Sequence, residues 1–116
     1  MKFSPLRRAV MASALLLAAP LAWAQVYPNK TIKFVVPFPA GSATDVVGRV
    51  LAEALGKELG QNIVVDNKAG AQGTIGAAEV KNAAADGYTL LVTTSTTQAA
   101  VTSLIKKLSY DPIKDF

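Results

Sequence analysis

No cysteine and no histidine occur among the 116 residues. Their absence excludes a disulfide scaffold, a thiol nucleophile, a Ser-His-Asp triad and every His- or Cys-based metal site. Carboxylates, hydroxyls, Lys, Arg and backbone amides are the chemical tools that remain, so neither a metal nor a cofactor is expected. Charge is sparse, at 17% against 51% hydrophobic residues, which is a globular and not a disordered composition. The length allows one small domain.

The net charge of +4 belongs mostly to the first 24 residues, where Lys2, Arg7 and Arg8 occur without an acid. Setting those three aside leaves 9 of the 12 basic residues against 8 acidic ones. A near-neutral body with scattered charge has no electrostatic footprint for nucleic acid.

Residues 1–24 read as a secretory signal peptide. The basic start precedes an apolar run from Ala9 to Leu21, broken by Ser13 and Pro20, and Ala22-Trp23-Ala24 follows as a small-x-small cleavage pattern. A run of this size spans roughly 20 Å as a helix, short of the about 30 Å of a bilayer core, which disfavours the alternative of an uncleaved anchor. No cysteine follows it, so a lipoprotein anchor is excluded. The expected exported body is residues 25–116, stabilised by packing alone.

Three strand-then-helix units follow one another in that body. The first strand is expected over Thr31–Val36 and is stopped by Pro37 and Pro39. A helix follows over about residues 43–59. Val46, Val47, Val50, Leu51, Ala54, Leu55 and Leu59 recur at a period of 3.6, which predicts one buried face, with Arg49, Glu53 and Lys57 as a solvated stripe. Gly60 is placed to end this helix. The second strand is expected over Ile63–Asp66, its helix over Thr74–Ala84, and the third strand over Tyr88–Thr93, before a short helix reaching about Leu104. From Lys106 onward the chain reads as a polar connection, with a turn at Tyr110-Asp111-Pro112. Alternation of strand and helix implies an α/β fold with a parallel sheet, whose two edges are open in a body of three strands.

Ligands of such sheets bind beyond the carboxyl ends of the strands. All three loops there are rich in Gly, Ser and Thr and enter helices, so their free amides and helix dipoles could cradle a carboxylate or a phosphate. The same residues also serve turns and caps, and the sequence leaves the two readings open. Ser42-Ala43-Thr44-Asp45 matches a capping box. Asp45 is therefore either a cap partner or a group that orients the loop or accepts from a ligand. Gly70, Gly73 and Gly76 are spaced three apart and lack the G-x-G-x-x-G of a dinucleotide turn. Phe38 between two prolines is either a pocket wall or a plug over the core.

Several ordered stretches carry a resemblance: Tyr27-Pro28, residues 32–41 with Thr44-Asp45, residues 64–73 with Ile75-Gly76, residues 86–91, and residues 106–112 with Asp115-Phe116. Together they resemble the periplasmic solute receptors of tripartite tricarboxylate transporters, the Bug family. The resemblance implies a type II periplasmic binding protein fold. It implies capture of a small organic anion (a di- or tricarboxylate, an acidic amino acid or an aromatic acid) for the membrane components of a transporter, without catalysis. Carried over, the ligand-binding positions are Phe38, Ala40, Gly41, Ser42, Thr44 and Asp45 in the first loop, Gly70, Gln72 and Gly73 in the second, and Thr94, Ser95, Thr97 and Gln98 in the third. The sequence departs at Ser42 and Gln72, where the family often has Gly, and at Val101-Thr102, which replaces a frequent Asn-Pro.

Family members run to about 300 residues, a two-domain size. Residues 25–116 are accordingly expected to be an incomplete first lobe of an N-terminal fragment, with weak binding on its own because closure of two lobes desolvates the ligand. The competing readings are a small α/β enzyme using a phosphate-bearing ligand and a non-functional truncated remnant.

Overall fold

A computed structural model describes residues 26–116. The leader and its Ala22-Trp23-Ala24 pattern lie outside the described residues. Three parallel strands, β1 (Ile32–Val36), β2 (Ile63–Asn67) and β3 (Thr89–Leu91), form one sheet in the order β2-β1-β3. The helices are α1 (Ala43–Leu59), α2 (Thr74–Asn82) and the single turn α3 (Val101–Leu104). A 3₁₀ turn at Ala71–Gly73 leads into α2, and a π turn at Thr96–Ala100 leads into α3.

β1 lies in the middle and is buried at every position except Lys33. The pleat sends its side chains alternately to two faces. On one face Ile32 and Phe34 pack with Ala52 of α1, joined by Leu55, Ile63, Val65, Tyr88 and Val92. On the other side of the sheet Ala77 of α2, Val101 and Tyr110 form a second cluster with Leu91, Ile105 and Leu108. Lys33 points to the α2 side, where its Nζ lies 2.8 Å from Glu79 and 3.9 Å from Asp66, and Lys68 approaches the same two acids. Hydrogen bonding to Glu79 raises the Lys33 pKa and lowers that of Glu79, the direction expected of a formed pair.

The limits of α1 agree with the sequence. Ser42 accepts the Asp45 amide as N-cap, and Gly60 closes the helix at φ 63° with its N–H on the Gly56 carbonyl. The buried face does not agree. Val46, Val47 and Val50 are 54%, 62% and 65% exposed, and Leu51 and Leu59 are also exposed. The sheet side of the helix is instead Asp45, Gly48 and Ala52, with half-buried Leu55 and Gly56. Small residues there allow a close approach. A Cβ at Gly48 would stand 3.2 Å from Val36 Cγ2, and one at Gly56 would stand 3.1 Å from the Gln61 carbonyl oxygen. Of the expected apolar row Leu55 packs against the core on the sheet, whereas its valines, Leu51 and Leu59 point away from it.

β3 is shorter than the expected Tyr88–Thr93 because its partner ends. The Val92 amide makes the last bond, to Val35 at 3.0 Å, and β1 turns away at Pro37. Helix α2 likewise stops at Asn82, not Ala84. The stretch after Lys106 is more than a polar connection. Tyr110 is buried, with its hydroxyl on the Thr97 carbonyl at 2.6 Å and its ring edge-on to Phe116. Asp111 organises the expected turn by accepting the amides of Ile113 and Lys114.

At the amino ends of the strands the first described residues are clamped. The Tyr27 hydroxyl donates to the Gly87 carbonyl at 2.7 Å, its ring stands edge-on to Tyr88 at 5.0 Å, and Lys30 sits over the Tyr88 ring while pairing with Asp86.

The packing of α1 gives a direct contrast. Val47→Ser and Val50→Ser should each change stability by no more than about 0.5 kcal/mol, as surface substitutions do. Ala52→Leu should cost about 1–3 kcal/mol by overpacking against the sheet. Urea unfolding of the three variants checks the ranking, and the reverse order would mean that the valine row is the core face.

Candidate functional site

The loop from β1 to α1 is held from beneath by one carboxylate. Asp45 is 2% exposed. Its Oδ2 accepts the Gly41 amide at 2.8 Å and Arg49 Nε at 3.0 Å, and its Oδ1 accepts Asn67 Nδ2 at 2.9 Å. Asn67 stands at the end of β2 and also donates to the Phe38 carbonyl at 3.0 Å, while Arg49 Nη2 donates to Asn67 Oδ1 at 3.1 Å. These bonds, the Arg49 bond above all and then those from Gly41 and Asn67, push the Asp45 pKa down to about 2 against the opposing effect of burial. In a simple capping box Asp45 would return to the Ser42 amide. Here that amide goes to the Pro39 carbonyl, and Asp45 reaches one residue further back, to Gly41.

The loop from β2 to α2 is left-handed over three successive residues, Ala71 at φ 45°, Gln72 at φ 57° and Gly73 at φ 88°, after Gly70 at φ 138°. For the two residues with a Cβ this conformation costs about 1–2 kcal/mol each. It persists because neighbouring groups fix it: the Gly73 amide bonds to the Gly70 carbonyl, Thr74 Oγ1 to the Ala71 carbonyl and Thr97 Oγ1 to the Gln72 carbonyl. Backbone strain held in this way concentrates at functional sites.

The third loop meets the other two at glycines. A Cβ on Gly73 would collide with Thr97 Oγ1, and one on Gly76 would stand 2.9 Å from Pro37 Cβ. The loops after all three strands thus come together around Pro37, Gly73 and Thr97, at the carboxyl end of the sheet. Ala40, Gly41, Gly70, Gln72 and Ser95 are exposed there, while Phe38, Ser42, Thr44 and Thr94 are half-buried. No hydrogen bond within the described residues takes the amides of Ala43 and Thr44 at the start of α1, so this end of the helix keeps the donors that favour an anion.

Some of the expected site residues have other engagements. Asp45 has both oxygens committed beneath the loop. Thr97 is fully buried, its hydroxyl on Gln72 and its carbonyl on Tyr110. Gln98 lines a separate cleft beside β3. Arg49 and Asn67 went unassigned in the sequence reading. Arg49 looked like part of the solvated stripe, although its spacing of four from Asp45 was visible, and Asn67 carries no local signal. Among the described residues no group of three or more carboxylates could hold a metal ion.

A family model described as the tripartite tricarboxylate transporter family receptor matches residues 47–116. Protein BugT of Bordetella pertussis (strain Tohama I) is 47% identical over 100 residues, which are 85% of this chain and 30% of that protein. MatC from Rhodopseudomonas palustris, solved with bound malate, superposes with a TM-score of 0.75 at 44% identity, over 78% of this chain and 31% of that one. A second R. palustris protein, solved with adipate, gives a TM-score of 0.72 at 36% identity, over 74% of this chain and 29% of that one. The chain therefore spans about a third of the length of its curated relatives.

Two outcomes follow from this geometry. Asp45 titrates lower folded than unfolded, so its charge stabilises the fold above the ordinary aspartate pKa near 3.9, and that contribution is lost as pH falls through about 2. Thermal melts should show Asp45→Asn below the native chain at pH 7, with the gap closing between about pH 4 and pH 2. Gly73→Ala should cost at least about 2 kcal/mol, since it combines a disfavoured φ with a collision in a packed contact. Urea unfolding measures this loss, and a neutral result would mean that the second and third loops are not in contact.

Proposed function

The chain belongs to the family of tripartite tricarboxylate transporter receptors, and from that membership we propose that it forms the first lobe of a periplasmic receptor for a small organic acid. Residues 25–116 supply this lobe, and the leader directs it out of the cytoplasm. The observation that carries the reading is the meeting of three strand-end loops at one point, with the start of α1 open beside it. Malate and adipate, bound by two structural relatives, are both dicarboxylates, which supports a dicarboxylate as the ligand class. One ligand carboxylate rests on the open amides of Ala43 and Thr44 at the start of α1, and the polar rim formed by Ser42, Thr44, Gln72, Thr94 and Ser95 orients it. Gly70, Gly73, Phe38 and the buried Asp45 and Thr97 shape the loops around it, while the half-buried Gln98 faces the separate cleft beside β3. No group in this rim is placed as an acid–base pair, in keeping with capture and release without chemistry. The membrane components of the transporter receive the loaded receptor.

Calorimetric titration of the chain with malate and adipate tests the proposal. A single lobe should bind a dianion with a Kd on the order of 1 mM, about −4 kcal/mol, and the corresponding diamides not at all. Ligand should be recovered unchanged after incubation. Saturable nucleotide binding or product formation would favour the reading as an enzyme and overturn this one.

A further inference from the structure

The loop from β1 to α1 has little main chain with which to hold itself. Pro37 and Pro39 bring no N–H. Among the described residues, the bond from the Ser42 amide to the Pro39 carbonyl is the one main-chain bond within residues 37–42. The loop takes its shape from side chains that stand outside it, and Asn67 is the one that enters from another element. The main chain of Asn67 is fixed by the sheet. It lies opposite Val36 in the parallel register, and the next amide, that of Lys68, donates to the Val36 carbonyl at 2.8 Å.

Every hydrogen-bonding group of the Asn67 side chain is engaged. Its Nδ2 donates to the Phe38 carbonyl at 3.0 Å and to Asp45 Oδ1 at 2.9 Å, and its Oδ1 accepts Arg49 Nη2 at 3.1 Å. A carboxylate on one side and a guanidinium on the other admit only this orientation of the amide. Other residue types fail at this position for stated reasons. Aspartate has the shape and no donor, serine has a single hydroxyl hydrogen, and glutamine is longer by a methylene. No other hydrogen bond takes the Phe38 carbonyl among the described residues. Asp45 passes the restraint on to the Gly41 amide at 2.8 Å. Asn67 thus grips the loop at Phe38 directly and at Gly41 through Asp45.

We infer that Asn67 is a positioning residue of the anion site: it ties the first loop to the frame of the sheet and so sets the shape of the loop around the open amides of Ala43 and Thr44. This role presupposes the organic-acid receptor proposed above. Asn67 gives no group to the ligand, because both of its amide hydrogens are spent on the protein. It acts on affinity by holding the loop ready, which spares the ligand the cost of ordering it. It also joins two loops. Asn67 ends β2, and the second loop begins at the next residue, so the first loop is registered against the root of the second.

Titration of the full chain with malate, followed through the Ala43 and Thr44 amide resonances, tests this. Asn67→Asp keeps the shape, loses both donors and sets a second carboxylate against Asp45. It should bind malate at least about tenfold more weakly than the native chain. Should N67D fail to fold, Asn67→Ser, which adds no charge, takes its place with the same loss expected. Ala52→Leu lowers stability away from the loop and should keep native affinity. The reciprocal variant D45N/N67D restores the net charge and reverses the bond between the two positions, but leaves the Phe38 carbonyl facing a carboxylate. Its urea midpoint should return toward that of the native chain while its affinity stays low. Native affinity in folded N67D or N67S, equal weakening in A52L, or affinity that recovers together with stability in D45N/N67D would each overturn the positioning role and leave the receptor reading standing. A native chain that takes up no malate would overturn the receptor reading and this role with it.

Discussion

A buried carboxylate beneath a loop organises this fold. Asp45 brings a negative charge into the protein, where it is tolerable only if fully compensated. Arg49 compensates it from one turn further along α1, the Gly41 amide from the loop above, and Asn67 from the end of β2. The loop after β1 is therefore held in shape by polar bonds from below, and its upper surface stays thin, with Ala40, Gly41 and Ser42. Because Arg49 already matches the charge of Asp45, the loop can present amide hydrogens to an anion without a bare carboxylate opposing it.

The same economy of side chains appears where the loops meet. Pro37, Gly73, Gly76 and Thr97 touch so closely that no Cβ fits on either glycine without displacement of a neighbour. The Thr97 carbonyl in turn holds the hydroxyl of Tyr110, which anchors the last residues against the second core cluster. Packing of the fold and placement of the loops are thus one set of contacts. The left-handed path through Ala71 and Gln72 is stable only inside that set, which accounts for a costly backbone in a small body.

Most of the architecture was legible because its signals are local. Pro37 ends β1, Ser42 and Gly60 bracket α1, and the alternation of strand and helix dictates a parallel sheet. The orientation of α1 was not legible, because its sequence carries two candidate faces. The valine row has the stronger hydrophobic period, yet the row of Gly48, Ala52 and Gly56 permits the closer approach, and close approach decided the packing. The site was legible as three loops and illegible as a network. Asn67 is a single residue at a strand end, and its bonds to Phe38 and Asp45 span 29 and 22 positions. Thr97 resembled any strand-end threonine until the fold enclosed it.

The aromatic clamp at the start of the described chain gives the fold a polarity. Tyr27 and Lys30 fasten to Asp86, Gly87 and Tyr88 where the strands begin, and the converging loops lie where they end. The two poles are separated by at least a strand length, about 17 Å. A dye, a bead or a surface tether attached ahead of Val26 consequently hangs from the far pole, and immobilised molecules would turn their loops toward the bulk solution.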